Sequence, residues 1–181
     1  MMTIGHSNRS AAEFIALLQA HGVETVVDVR TVPKSRHNPQ FNRDALPGTL
    51  REAGIGYLHM PRLGGLRHPR KDSINLGWRN ASFRGYADYM QTPEFVRSLD
   101  ALIAVPGRAA VMCAEAVPWR CHRSMIADAL TARGIPVEHI MSAQTKTTHK
   151  LTAFAHVEGT RVTYPGDTLE LFRKEDSSAA P

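Results

Sequence analysis

The stretch RAAVMCAEAVPWRCHR, residues 108–123, passes from an apolar run through a polar turn into a helical pattern. The run RAAVMC has the length and apolar character of a buried strand. The segment from Trp119 to Arg133 predicts the strongest helix of the chain, and Gly134 is its stop signal. A strand that leads directly into a helix is the repeating unit of α/β sheets.

The same alternation recurs along the rest of the chain. Ser10 and Glu13 have the spacing of a capping box, and Thr92-Pro93 marks another helix start. Further strands are predicted at 2–4, 25–30, 55–60 and 135–140, and further helices at 43–53 and 82–90. The predicted fold class is α/β: a single domain with a mostly parallel sheet of about five strands, helices on both faces and a small C-terminal hairpin within 154–165. We expect this domain to span 1–173, followed by a flexible tail at 174–181.

Composition places the chain among soluble globular proteins. Of 181 residues, 43% are hydrophobic and 22% are charged, and no apolar run approaches the ~18 residues of a membrane span. The N-terminus has no secretory signal pattern, and two cysteines are too few for a disulfide framework. The sequence therefore predicts a cytoplasmic protein that does not act at a membrane, and it leaves the oligomeric state open.

The basic charge of the chain is local. The net charge is +5, yet residues 30–43 and 61–80 together hold nine basic residues and one acidic residue. Such a distribution is typical of a face that binds anions, such as nucleotides or nucleic acid. The alternative is that polar loops simply collect arginines. The second stretch is long for a loop in a compact domain, which favours a binding loop or a lid.

Polar residues follow the predicted strands where ligands bind in open α/β sheets, at the carboxyl ends. His6 and His59 are candidates for a general acid or base, or for histidines bonded to the backbone. Glu115 is a candidate to position water or substrate, and Cys121 is the candidate nucleophile. The candidate anion or substrate contacts from these ends and from the following turns are Ser7, Asp28, Arg30, Gly64, Gly65, Arg120, His122 and Arg123.

The two cysteines have different expected roles. A predicted helix start at Trp119 puts Cys121 in a first turn, where the dipole and neighbouring arginines would lower its pKa. Cys113 ends an apolar strand and is expected to be a small core residue. An anion that compensates the basic residues at this predicted helix start would be a bound ligand or Glu115 itself. A divalent metal is a lesser alternative, and no cofactor is assigned. The spacing of the candidate ligands differs from that of paired CxxC knuckles. These candidates are Cys113, Glu115, Cys121 or His122, and His6.

Five ordered motifs carry a family resemblance: TIGHS, DVR with PKSRHNPQF, YLHMPRLGG, CAEAVPWRCHR and a late HI. With them the chain resembles the family known as domain of unknown function 488, from Thr3 to about Tyr164. The resemblance adds Ser35, in the second motif, to the candidate substrate contacts, and it implies no activity. A weaker likeness to rhodaneses rests on Asp-x-Arg after a strand and on Cys113, although position 119 is tryptophan where that chemistry needs arginine.

The leading interpretation is an enzyme that acts on a phosphate-bearing substrate, a nucleotide or nucleic acid, at the strand-end site. The first alternative is a non-catalytic nucleic-acid-binding module. Further alternatives are a metal-dependent hydrolase and a rhodanese-like thiol enzyme. Among enzymes, a hydrolase or a transferase fits best.

Overall fold

The computed structural model describes residues 1–166, which form one mixed α/β domain. Its main sheet has six strands in the order β3-β2-β4-β1-β5-β6, and only β6 runs antiparallel, against β5. A separate two-stranded hairpin, β7-β8, follows. The strands are β1 (Met2–Gly5), β2 (Thr25–Asp28), β3 (Gly56–His59), β4 (Ala109–Cys113), β5 (Glu138–Ile140), β6 (Lys146–Thr148), β7 (His156–Glu158) and β8 (Arg161–Thr163). The predicted fold class is confirmed; the predicted tail at 174–181 lies outside the described residues.

Five α-helices cover both faces of this sheet. They are α1 (Ala11–Ala20), α2 (Leu46–Glu52), α3 (Ala81–Tyr89), α4 (Pro93–Ile103) and α5 (Arg123–Thr131). Phe14 of α1 and Leu50 of α2 belong to one buried apolar cluster, and α3, α4 and α5 contribute to a second cluster on the other face. No helix within residues 1–166 has the length and apolar character needed to cross a bilayer.

Local sequence signals explain most helix boundaries. Ser10 and Glu13 form the predicted capping box, and the Thr92 hydroxyl caps α4. At α3 the predicted cap, Ser82, is wrong by two residues. The side-chain oxygen of Asn80 instead accepts from the backbone N–H groups of Ser82 and Phe83.

The helix predicted from Trp119 to Arg133 is also wrong at its start. Pro118–Arg120 is a short 3-10 turn, Cys121 is extended with φ −138° and ψ 146°, and α5 begins only at Arg123. Arg120 and Cys121 therefore precede the helix instead of forming its first turn. The dipole argument for a lowered Cys121 pKa consequently does not apply.

The topology creates a crevice at the carboxyl ends of β2 and β4. These strands are neighbours, but the chain leaves β2 toward α2 on one face and leaves β4 toward α5 on the other. In open α/β sheets such a divergence opens a ligand-sized gap beyond the strand ends.

The long basic loop before α3 is anchored along its length. The buried carboxylate of Asp88 accepts from the Arg70 backbone N–H at 2.8 Å and from the Ser73 hydroxyl at 2.6 Å. The Tyr86 hydroxyl donates to the Leu63 carbonyl at 2.9 Å. A Cβ at Gly85 would come within 2.5 Å of the His68 carbonyl carbon, so the loop lies directly on α3. These contacts favour a fixed wall over a lid.

Candidate functional site

The turn after β1 packs tightly on the loop after β4. The His6 N–H donates to the Cys113 carbonyl at 3.0 Å, and the Ser7 N–H donates to the Ala114 carbonyl at 2.8 Å. A Cβ at Gly5 would overlap the carbonyl oxygen of Glu115, so only glycine allows this approach. Ser7 has a φ of 52°, the only positive φ among the non-glycine residues of 1–166. The sequence segments TIGHS and CAEAVP are thus held together by backbone contacts.

A fully paired polar cluster lies beside this turn, and we call it the Arg30 network: His6, Asp28, Arg30, Phe41 and Tyr57. The Arg30 guanidinium donates to both carboxylate oxygens of Asp28, at 2.9 and 2.6 Å. It also donates to the Phe41 carbonyl at 2.7 Å and meets His6 Nε2 at 3.1 Å. The Tyr57 hydroxyl donates to Asp28 at 2.8 Å. Every charged group here has a partner, as burial requires.

His6 is held as a neutral imidazole in this network. Its Nδ1 lies 2.7 Å from the Ser7 carbonyl oxygen and must donate there, so Nε2 is the acceptor for Arg30. Its ring stacks on Phe41, with 4.2 Å between ring centroids. Burial, aided by the positive charge of Arg30, lowers the His6 pKa to about 4. Both ring nitrogens are occupied, so a role as base would require Arg30 to move.

Two other candidates make backbone contacts near the network. His59 Nε2 donates to the Arg30 carbonyl at 2.9 Å. The Ser35 hydroxyl accepts from the Asn38 N–H at 3.0 Å, and the Ser35 N–H donates to Asn42. These contacts order the turn after β2.

A cleft of about 470 Å³ opens beside the network, at the crevice between β2 and β4. We call it the thiol cleft, because both cysteines line it. Its other lining residues are Arg30, Thr31, Val32, Gly65, Leu66, Asn80, Ser82, Phe83, Ala114, Glu115, Arg120 and His122. Its volume is in the range of small-molecule sites, and polar groups stand beside an apolar wall.

The two thiols are buried and influence each other's ionisation, and Cys113 Sγ also lies 3.9 Å from the Glu115 carbonyl oxygen. Cys113 is 2% exposed and Cys121 is 5% exposed. The hydrogen bond from the Cys121 thiol, together with the charge of Arg123, lowers the pKa of Cys113. The same hydrogen bond, together with burial, raises the pKa of Cys121 well above its ordinary value. The expectation of an easily ionised Cys121 is therefore not met, and the lowered pKa belongs to Cys113.

Arg123 is a buried cation without a carboxylate partner. It is 1% exposed, and within residues 1–166 it forms no salt bridge with an acidic residue. Its Nη2 donates to the Ala116 carbonyl at 3.3 Å, whereas Nε and Nη1 have no partner in that range. Its backbone N–H donates to Cys121 Sγ at 3.5 Å. A buried guanidinium left this way is costly unless a nearby group supplies negative charge.

His122 completes the floor of the cleft. Its Nδ1 lies 3.6 Å from Cys121 Sγ, and its buried Nε2 has no partner within the described chain. Burial, together with the charge of Arg123, lowers its pKa to about 4, so it is neutral at pH 7. A Cβ at Gly65 would come within 2.5 Å of Nδ1, so this glycine lets the basic loop close over the ring.

Glu115 and Arg120 lie on the exposed rim of the cleft. Neither forms a salt bridge within residues 1–166, so the alternative in which Glu115 itself supplies the anion through an arginine pair is not found there. The candidate ligands of the metal alternative are not assembled either: across residues 1–166 no three His, Cys, Asp or Glu side chains are grouped to hold an ion.

A family model described as domain of unknown function DUF488 matches residues 10–130. The chain belongs to the DUF488 family. The match contains three of the five motifs behind the resemblance, whereas TIGHS and the late HI lie outside it. No curated protein and no solved structure matches the chain.

For this DUF488 protein, seven sequence-derived candidates line the cleft: Arg30, Gly65, Cys113, Glu115, Arg120, Cys121 and His122. The others support it from behind or beside it: His6, Ser7, Asp28, Ser35, His59, Gly64 and Arg123. Sequence reasoning missed the apolar wall of Val32, Leu66 and Phe83. The structure identifies this wall by the unusual exposure of Val32 (64%) and Leu66 (75%), which cannot be read from the sequence.

Proposed function

We propose that this protein is an enzyme that binds a phosphate-bearing substrate, a nucleotide or nucleic acid, in the thiol cleft. The observation that carries the proposal is the composition of the cleft. Arg120, a cation with no acidic partner in residues 1–166, stands above a floor that holds two thiols and a neutral imidazole. A cation beside a nucleophile is the arrangement that transfer or hydrolysis at an anionic substrate requires.

Arg120 is the best phosphate contact in the cleft. The charge of Arg30 is already neutralised by Asp28, and Arg123 lies under the floor, so neither offers a free cation to a ligand. No group within residues 1–166 takes up a guanidinium donor of Arg120, so it can bind phosphate with two of them. Val32, Leu66 and Phe83 would then take the apolar part of the substrate, such as the face of a base.

The reactive groups follow from the same geometry. Cys113 or Cys121 would act as nucleophile, and the exposed carboxylate of Glu115 would orient water or the leaving group. A hydrolase and a transferase would both use these groups. A cytoplasmic setting, where thiols stay reduced, suits this chemistry.

The test is binding of a nucleoside monophosphate by calorimetry, with the parent nucleoside as the phosphate-free probe. Arg120→Ala should raise the Kd of the monophosphate by about tenfold or more, because a charge-assisted contact contributes about 1.5–3 kcal/mol. The nucleoside should bind both forms equally. Arg97→Ala, at an exposed position on α4 outside the cleft, is the matched control and should change neither value. Equal loss of both probes, or no loss of either, would refute the role of Arg120.

A non-catalytic nucleic-acid-binding module is the second candidate, because some of the local basic charge is free. Of the nine basic side chains in residues 30–43 and 61–80, five make no hydrogen bond or ion pair within the described chain: Lys34, Arg36, Arg43, Lys71 and Arg79. Arg67 and Arg70, which belong to the second basic stretch, are engaged internally. Arg67 stacks 3.5 Å from the Tyr89 ring centroid, and Arg70 pairs with Asp72. This candidate requires oligonucleotide binding that weakens steeply with salt and is insensitive to Cys121→Ser.

A further inference from the structure

The thiol cleft contains a pairing that the proposed function does not require. Cys113 ends β4 and Cys121 follows a 3-10 turn, so seven residues separate the two sulfurs in sequence. The Gly5 contact and the hydrogen bonds from His6 and Ser7 fix the start of the intervening loop against β1. Both thiols therefore line the same cleft on a backbone held at several points, and each shifts the pKa of the other.

Arg123 gives this pair an electrostatic role. A guanidinium that is 1% exposed, with two partnerless nitrogens and no carboxylate in the described chain, needs a negative charge nearby. The ionisable groups whose pKa values are lowered by its charge include the two thiols, His122 and His139. A histidine can supply no negative charge, and a thiol can.

We propose that Cys113 and Cys121 form a redox-active dithiol, with a thiolate on Cys113 as the counter-charge of Arg123, that reacts with low-molecular-weight disulfides. The Cys121 thiol donates to that thiolate and holds the remaining proton. Both cysteines line a cleft of about 470 Å³ and are nearly buried. A small disulfide can therefore reach the sulfurs, whereas a folded protein cannot. This inference is independent of the phosphate-bearing substrate.

The reaction balances in two exchange steps. The Cys113 thiolate attacks one sulfur of the small disulfide, whose S–S bond breaks and releases one small thiolate. Cys121 then gives its proton to the medium or to that thiolate and attacks Cys113 Sγ. The mixed disulfide breaks, a second small thiolate leaves, and two electrons have passed from the dithiol to the small disulfide.

Arg123 also sets the direction of this equilibrium. The guanidinium stabilises the thiolate of the reduced pair and has nothing to stabilise in the disulfide. A site whose reduced form is stabilised in this way has an oxidising disulfide. Removing the charge of Arg123 should therefore make the disulfide harder to reduce.

The experiment equilibrates the protein with mixtures of reduced and oxidised glutathione, quenches with acid, and measures the intramolecular disulfide by intact mass. Wild type should convert reversibly to a form that has lost two hydrogens. Arg123→Met should shift the equilibrium toward disulfide by about tenfold, or about 30 mV. Arg123→Lys keeps the positive charge but, like Arg123→Met, loses the guanidinium hydrogen bonds. Its thiol–disulfide equilibrium should therefore stay near that of wild type.

Several outcomes would overturn the proposal. They are a stable glutathione adduct without ring closure, no oxidation at all, or the same equilibrium in Arg123→Met and wild type. If Arg123→Met does not fold, the alkylation rate of wild type against pH decides instead. A rate that rises to its plateau below the ordinary thiol pKa of about 8.5 supports the thiolate, and a rate that follows 8.5 or higher refutes it. No phosphate-bearing ligand is present in these assays, so failure of the proposed function would leave their result intact.

Discussion

Two buried arginines at the same edge of the sheet have opposite surroundings. Arg30 makes a two-point ion pair with Asp28, and its remaining donors are taken up by Phe41 and His6. Arg123 has one long hydrogen bond to a carbonyl. Of the four buried side-chain nitrogen or oxygen atoms without a partner in residues 1–166, three belong to Arg123 and its neighbour His122.

This difference in hydrogen bonding distinguishes residues that support the site from residues that can react in it. A saturated network such as that of Arg30 rigidifies the turns that shape a site, because each member is fixed by another. An unsaturated cluster stores electrostatic cost that a thiolate or a ligand can relieve. Strand-end residues of similar chemistry can therefore serve different purposes, and hydrogen-bond satisfaction distinguishes them.

The largest expected effect contrasts the two arginines in stability. Asp28→Asn leaves Arg30 buried and uncompensated, and we expect the free energy of unfolding to fall by about 3–5 kcal/mol. Arg123→Met replaces a buried cation that has no carboxylate partner with an apolar chain of similar length. Because the Cys113 thiolate can take up a proton when the cation is removed, no buried charge is left behind, and the change should cost no more than about 1 kcal/mol. Urea denaturation at pH 7 under reducing conditions measures both. Equal losses would remove the contrast.

The next effect is a loss of stability in acid. The pKa values of His6 and His122 are lowered from 6.5 to about 4, so the unfolded chain binds protons between these values while the folded protein does not. The folded state must therefore lose stability as pH falls from 6.5 toward 4, by up to about 3 kcal/mol for buried His6. The free energy of unfolding, measured by denaturation at several pH values in this range, should depend less on pH in His6→Asn than in wild type. An unchanged dependence in that variant would mean that His6 is charged in the folded protein.

A smaller change disturbs the thiol side alone. Gly65→Ala puts a methyl group against His122 Nδ1, and moving the ring should cost about 1–3 kcal/mol and slow alkylation of the cysteines. Gly48→Ala is the matched control, because Gly48 lies in α2 with nothing within 4 Å of an added Cβ. This control should stabilise the protein by about 0.5–1 kcal/mol. A Gly65→Ala protein as stable and as reactive as wild type would show that the ring does not limit access to the thiols.

The fold was predictable because its signals are local. The capping box at Ser10 and the apolar run at RAAVMC need no distant partner to be recognised. β6 was missed, because KTT is exposed and becomes a strand only by pairing with β5. The start of α5 was misplaced, because Pro118 opens a 3-10 turn whose continuation is interrupted at extended Cys121.

The candidate site was predictable as a location and less so as a mechanism. Topology places every strand-end motif at one edge, so Cys113, Glu115 and Arg120 could be grouped from sequence. Which groups are paired depends on distances that sequence does not contain. His6 is occupied by Arg30, and the lowered thiol pKa belongs to Cys113 because Cys121 donates to it.

The most direct test of the thiolate at Arg123 is an ultraviolet titration of the reduced protein, following thiolate absorbance against pH. We predict that one thiolate per chain forms below the ordinary thiol pKa of about 8.5, that Cys113→Ala abolishes this transition, and that Arg123→Met shifts it upward. Two thiols that ionise only at or above that value, unaffected by Arg123→Met, would contradict the account.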